Sequence, residues 1–157
     1  MPSDRAAREP LPALPLAASE IPSGDPLPRP TPLTGVRREI WDRALPYLDV
    51  RDTAAHSLCA YALATALLNA LPEARADIVL PAVLLHDTGW TMVDPADILP
   101  AIAGRSGPAA HETIRRHETE GAAIAARILS DIGYPARDTE RIVAIIDGHD
   151  TRRHALG

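Results

Sequence analysis

Proline sets the first limit on what this chain can fold into. Nine of the sixteen prolines among its 157 residues stand in the first 34 positions, including Pro22, Pro26, Pro28, Pro30 and Pro32. A proline inside a helix removes a backbone hydrogen bond and clashes with the carbonyl four residues earlier. Residues 1–34 therefore read as a disordered, Pro-rich N-terminal tail that favours extended, solvated conformations. The folded part is expected over residues 35–157, about 120 residues, enough for one core and too few for two. The chain has no Phe and only 3% aromatic residues, although 46% of it is hydrophobic. Its core must be built from Ala, Leu, Ile and Val, which suits closely packed helices.

Composition removes several classes of function. All sixteen basic residues are Arg, so Schiff-base chemistry and a P-loop lysine are excluded. A net charge of −5 gives no global basic field, and nucleic acid is not an expected partner. The single cysteine, Cys59, excludes an internal disulfide framework and a Cys-rich zinc site. The start, Met1-Pro2-Ser3-Asp4, lacks the basic and apolar regions of a signal peptide, and no apolar run approaches a membrane span. A cytoplasmic protein that does not enter a membrane is expected.

From Val36 onward the apolar spacing is helical and no segment alternates as a strand. A first helix is predicted from Gly35 to Leu45, closed by Pro46. A long one follows from about Asp52 to Leu71, with Asp52 or Thr53 as N-cap and Pro72 as stop. The third, Asp77 to Asp87, is apolar nearly all round and should be central, with Pro81 in its first turn and Gly89 at its end. A short element near Ala96–Ala103 leads to a Gly-Pro turn between Gly104 and Pro108. Two final helices, about Ala110–Ile132 and Ala136–Gly148, flank Gly133-Tyr134-Pro135. The fold class is all-α, a helical bundle.

Histidines interrupt the apolar stripes of this bundle. His149 continues the face of Ile142, Ile145 and Ile146. His117 lies in the arc of Ile114, Gly121, Ile124 and Ile128. In the long helix His56 precedes Cys59, Ala60, Leu63 and Leu67 at the same spacing, and His86 with Asp87 ends the central helix. A lone histidine on an apolar face is usually a satisfied core residue. Four on four helices, with a carboxylate, are different, because burying such groups unpaired costs several kcal/mol or forces a pKa shift. A divalent metal removes that penalty, and imidazole with carboxylate suits iron, manganese or zinc. Gly121, one turn beyond His117, leaves room for another element to approach.

These residues resemble the HD-domain superfamily of metal-dependent phosphohydrolases. The resemblance spans about residues 36–157. It rests on His56 in Arg51-Asp52-Thr53-Ala54-Ala55-His56, on His86-Asp87 in Leu84-Leu85-His86-Asp87-Thr88-Gly89-Trp90, on His117 in Arg115-Arg116-His117-Glu118, and on His149 in Asp147-Gly148-His149-Asp150-Thr151-Arg152. It implies an HD-like helical domain and a site for two divalent ions, held by His56, His86, Asp87, His117 and His149. Asp87 would bridge the ions and serve as the catalytic proton acceptor. In the family a final Asp lies on a further helix beyond the His149 position. The sequence to Gly157 does not include it, so the domain is expected to lack that last helix. Asp150, about 100° from His149 on a helical wheel, is judged a poor substitute, and Asp147 no better.

Arg116, Thr151 and Arg152 are the residues expected to bind an anionic small-molecule substrate, since a guanidinium fork suits phosphate or carboxylate. Arg115 flanks the same histidine. Trp90 either walls the pocket or packs the central helix against the bundle. His111 lies about 240° from His117 around its helix and falls outside the ligand set; His154 reads as a surface residue. The leading function is hydrolysis of a phosphate ester, such as a nucleotide. A second reading from the same resemblance is a mixed-valent di-iron oxygenase that cleaves a C–C or C–P bond; Trp90, where hydrolytic relatives often carry a small basic residue, leans that way. A third is a non-catalytic, metal-binding regulatory module, and self-association is compatible with all three.

Overall fold

The computed structural model describes residues 32–103 and 107–152. Within them six α-helices follow one another: α1 Gly35–Ala44, α2 Thr53–Leu68, α3 Ala76–Leu85, α4 Pro95–Ile102, α5 Pro108–Asp131 and α6 Ala136–Ile146. Two 3-10 segments, Leu45–Tyr47 and His86–Met92, complete the set, and there is no strand among the described residues. The bundle is all-α, as the periodicity predicts. Up to residue 31 the Pro-rich tail lies outside the described residues, as do residues 104–106 of the Gly-Pro turn and His154.

The central helix is α3, which packs against α1, α2 and α6. It buries Ile78, Leu80, Ala82, Leu84 and Leu85, on nearly every side. The longest helix, α5, packs on the His86–Met92 segment, on α6 and on α4. Its buried stripe of His117, Glu118, Gly121, Ala122, Ile124, Ala125, Ile128 and Leu129 keeps to the i, i+4, i+7, i+11 spacing of one helix face. Fully burying Ile or Leu side chains such as Ile128 and Leu129 stabilises the fold by about 1.5–3 kcal/mol each.

Pro81 corrects one expectation. It is the sixth residue of α3, inside the helix and not in its first turn. A proline there cannot donate to the carbonyl of Asp77. The Tyr134 hydroxyl, between α5 and α6, donates to that same carbonyl, so the freed acceptor is satisfied from a neighbouring element. Arg75, preceding α3, bonds Asp138 of α6 at 2.8 Å and also pairs with Asp77, closing the same corner.

Two other expectations fail for identifiable reasons. In α2 the buried residues are Ser57 and Tyr61, whereas Cys59 is exposed and Leu63 and Leu67 are 49% and 61% exposed. The helix is apolar on all sides, so spacing could not choose its inner face. At the other end, α6 stops at Ile146, two residues before the predicted end. Gly148 takes φ 129°, a backbone conformation that leaves the helix and is open chiefly to glycine. His149 and Asp150 therefore project from a turn.

Candidate metal centre

Three of the four histidines are oriented in the same way. The Nδ1 atoms of His86, His117 and His149 lie 2.8 Å from the carbonyl oxygens of Val83, Ile114 and Ile146, each three residues earlier. A carbonyl only accepts, so Nδ1 donates and, in the neutral ring, Nε2 keeps a free lone pair. Such a backbone bond on the outer nitrogen is what fixes a ligand histidine. All these Nε2 atoms turn towards one another. His117 Nε2 is 3.3 Å from His149 Nε2, and His86 Nε2 is 3.3 Å from His56 Nε2.

The first of these pairs decides the chemistry. Neither His117 nor His149 has a proton on Nε2 to share when neutral, so two lone pairs face each other at hydrogen-bond distance. Something positive is needed between them. Protonation is the poorer solution for His117, whose side chain is fully buried: burial, together with the neighbouring His149, pushes its pKa below the ordinary imidazole value. Burial likewise lowers His86, against the raising effect of Asp87. A divalent ion fits the donors that are present.

Asp87 lies between the two histidine pairs. Its Oδ2 is 3.3 Å from His86 Nε2 and 3.6 Å from His56 Nε2, while Oδ1 is 3.9 Å from His117 Nε2. Two groups able to hold a metal ion result, His56–His86–Asp87 and Asp87–His117–His149, with Asp87 in both. The five residues singled out as ligands in the sequence are thus brought together, and their two triads share one carboxylate. His111 is exposed and stands apart.

Trp90 both walls the pocket and packs the core. Its ring stacks on His117 at 3.9 Å between centroids and 7° between planes, and its indole N–H donates to Asp87 Oδ1 at 3.1 Å. A single buried side chain therefore fixes the imidazole plane of one candidate ligand and the carboxylate angle of another. The 3-10 segment that carries Asp87 and Trp90 sits directly on the α5 backbone. A Cβ on Gly89 would lie 1.8 Å from His117 O and 2.5 Å from Gly121 N. Close approach at Gly121 is thus what the chain requires, and its partner is Gly89, which lies within the segment and does not simply end a helix.

The donors open into a cavity of about 370 Å³. Its walls include the apolar Val50, Ile98 and Ile102 as well as the charged Arg51, Asp52 and Asp150. The three residues expected to meet substrate do not line it. Arg152 donates to Ala144 O and to Asp147 O, capping the end of α6. Thr151 gives its peptide N–H and its hydroxyl to Glu118, at 2.9 and 2.7 Å. Arg116 is exposed on the outer face of α5. The arginine that lines the cavity is Arg51, whose φ of 49° holds a non-glycine residue in the left-handed region.

Sequence reasoning missed Glu118 and wrongly placed Asp150 on a helix. Glu118 has no exposed surface, yet it accepts from Asp150 N, Thr151 N, Thr151 Oγ1 and Arg115 Nη1 at 2.6–2.9 Å. Burial alone would raise its pKa; the bonds from Thr151, Asp150 and Arg115 outweigh that and hold the carboxyl below its usual range. Arg115 also bonds Asp147 at 2.8 Å. Together these contacts tie the 147–152 turn to α5. They bring Asp150 Oδ2 to 3.9 Å from His117 Nε2 and 3.8 Å from His149 Nε2. The helical-wheel argument against Asp150 fails because no helix runs there. A stripe of Glu118, Ala122, Ala125 and Leu129 on one face of α5 is the sequence signal that could have marked Glu118 as buried.

A family model described as HD domain matches residues 53–155. No curated protein and no solved structure matches the chain. No helix among the described residues is long and apolar enough to cross a membrane.

Proposed function

The chain belongs to the HD-domain family, and from that premise we propose that it is a metal-dependent hydrolase of a phosphate ester, acting on an anionic small molecule such as a nucleotide. The observation that carries the reading is Asp87, whose two oxygens face two separate histidine pairs. His56, His86 and Oδ2 would hold one divalent ion of iron, manganese or zinc, and His117, His149 and Oδ1 a second. When bound, such a pair supplies Lewis-acid polarisation of a phosphoryl oxygen and lowers the pKa of a water nucleophile.

The protein's own residues do the rest. Backbone carbonyls hold three imidazoles in the tautomer that offers Nε2. Trp90 keeps Asp87 Oδ1 aimed at its histidine pair and excludes water from the inner wall. Arg51 lines the same cavity, and a guanidinium suits a phosphate group. The apolar lining residues Val50, Ile98 and Ile102 would take the organic part of the ester.

The test is phosphate release from a panel of phosphomonoesters and nucleotides, using protein loaded with Mn²⁺, Zn²⁺ or Fe²⁺. Release that falls at least about 100-fold in Asp87→Ala, the loss expected when a metal-centred nucleophile is removed, supports the reading. Trp90, which stands where hydrolytic relatives often carry a small basic residue and here packs on Asp87 and His117, leans towards one competitor, the di-iron oxygenase. Oxygen uptake with an iron-loaded protein and no phosphate release would select it. Metal binding with neither reaction would select a non-catalytic module.

A further inference from the structure

We propose that Asp150 is a ligand of the second ion, completing a set of two imidazoles and two carboxylates with His117, His149 and Asp87. The inference rests on the metal-dependent reading above. Donors held at about 2.0–2.2 Å from one ion lie roughly 3.0–3.5 Å apart. His117 Nε2 and His149 Nε2 already meet that spacing at 3.3 Å. Asp150 Oδ2, at 3.9 and 3.8 Å from them, needs a shift of about half an ångström, which its half-exposed side chain can make by rotation.

Asp150 is not at this spot by chance of a loose turn. Its peptide N–H donates at 2.7 Å to Glu118, the residue that follows His117, and the next peptide N–H donates to the same oxygen at 2.9 Å. A fully buried carboxylate is thus spent on fixing the backbone of Asp150 against the helix that carries His117. Among the described residues, the Asp150 carboxylate accepts no hydrogen bond from any backbone or hydroxyl group; what faces it are two imidazole nitrogens without protons. An anion opposite two lone pairs is unfavourable, and a cation between the three turns each contact favourable. The mixed nitrogen and oxygen donors suit manganese, iron or zinc.

The experiment uses the full chain, stripped with chelator and titrated with Mn²⁺ alone, then Zn²⁺ alone, by calorimetry with elemental analysis of the dialysed product. Wild type is expected to take two ions. Asp150→Asn should keep the first and bind the second at least about 10-fold more weakly, the lower end of what is lost when even an outer partner of a metal ligand is removed. Its metal-free melting temperature should stay at the wild-type value. Asp150→His, which replaces one donor with another, should retain the second ion and guards against a fold defect in the Asn variant. Two ions at wild-type affinity in Asp150→Asn would overturn this assignment and leave the metal-dependent reading standing. No ion in wild type would overturn both.

Discussion

Gly89→Ala tests the packing that places Asp87 opposite His117. The added Cβ would fall 1.8 Å from His117 O, 2.5 Å from Gly121 N and 2.8 Å from His117 C. All three are backbone atoms of α5, so no side chain can rotate away. Restoring an ordinary contact of about 3.3 Å means parting the two backbones by about 1.5 Å, more than a well-packed interior yields. Overpacking by flexible side chains costs about 1–3 kcal/mol; here the cost should exceed about 3 kcal/mol, against about 0.5–1 kcal/mol regained from the stiffer unfolded chain. Since a domain is stable by only about 5–15 kcal/mol, a drop of that size should appear in urea unfolding of the metal-free protein. In a thermal melt it should read as a fall on the order of 10 °C. Gly121→Ala is the control. Its Cβ would meet His86 O at 3.2 Å, Gly89 N at 3.3 Å and the Ile146 side chain at 3.5 Å. A few tenths of an ångström relieve those contacts, and the roughly 1 kcal/mol gained in helix propensity offsets much of the cost, leaving a loss below about 1.5 kcal/mol. A Gly89→Ala protein within 1 kcal/mol of wild type would refute the reasoning, because the 3-10 segment could not then be seated on α5 as described.

Other consequences are open to simpler measurements. Glu118→Gln removes the charge that ties the 147–152 turn to α5. It should cost about 1.5–3 kcal/mol in urea unfolding, as for a broken charged hydrogen bond, tempered because the Arg115 side chain is 36% exposed and water can reach it; no change would show that the clasp is not stabilising. The pH dependence follows from His86 and His117, whose pKa values burial lowers in the folded state. As pH falls through about 6.5 the unfolded chain binds protons first, so metal-free stability should decline from there. Glu118, held low when folded, should add a further loss below about 4.3. Flat stability from pH 7.5 to about 5 contradicts the first part. Tyr134→Phe should lose about 1 kcal/mol by leaving the carbonyl opposite Pro81 without a donor, and a neutral result in the same unfolding assay would show that water replaces the hydroxyl.

How far the sequence was legible depended on whether local pattern carried the answer. Periodicity found five of the six helices and only a short element where α4 lies, and the stripe through Ile114, His117, Gly121, Ile124 and Ile128 placed one candidate ligand on the inner face of α5. His86 and Asp87 were readable as polar residues at the close of a nearly all-apolar helix, although α3 stops at Leu85 and the pair opens the 3-10 segment that follows. In α2 the same method failed, since a helix apolar on every side does not say which side is inner. Gly148 hid the ending of α6: a positive φ cannot be told from an ordinary helical glycine by spacing, and the angles assigned to His149 and Asp150 went wrong with it. The roles of Thr151 and Arg152 were unreadable for a different reason. Both are turned inward by Glu118 and by the end of α6, contacts made across more than thirty residues of chain for Thr151 and by a local cap for Arg152. Charge on a helix usually signals solvent, and Glu118 is an exception that only its partners explain.

The central claim is that Asp87 joins two metal subsites, and ion content tests it most directly. Protein purified without oxygen and loaded with a single divalent metal should carry two ions per chain by elemental analysis, and His117→Ala should retain one. A wild-type protein that holds no ion after loading, or a His117→Ala variant that still holds two, would contradict the account.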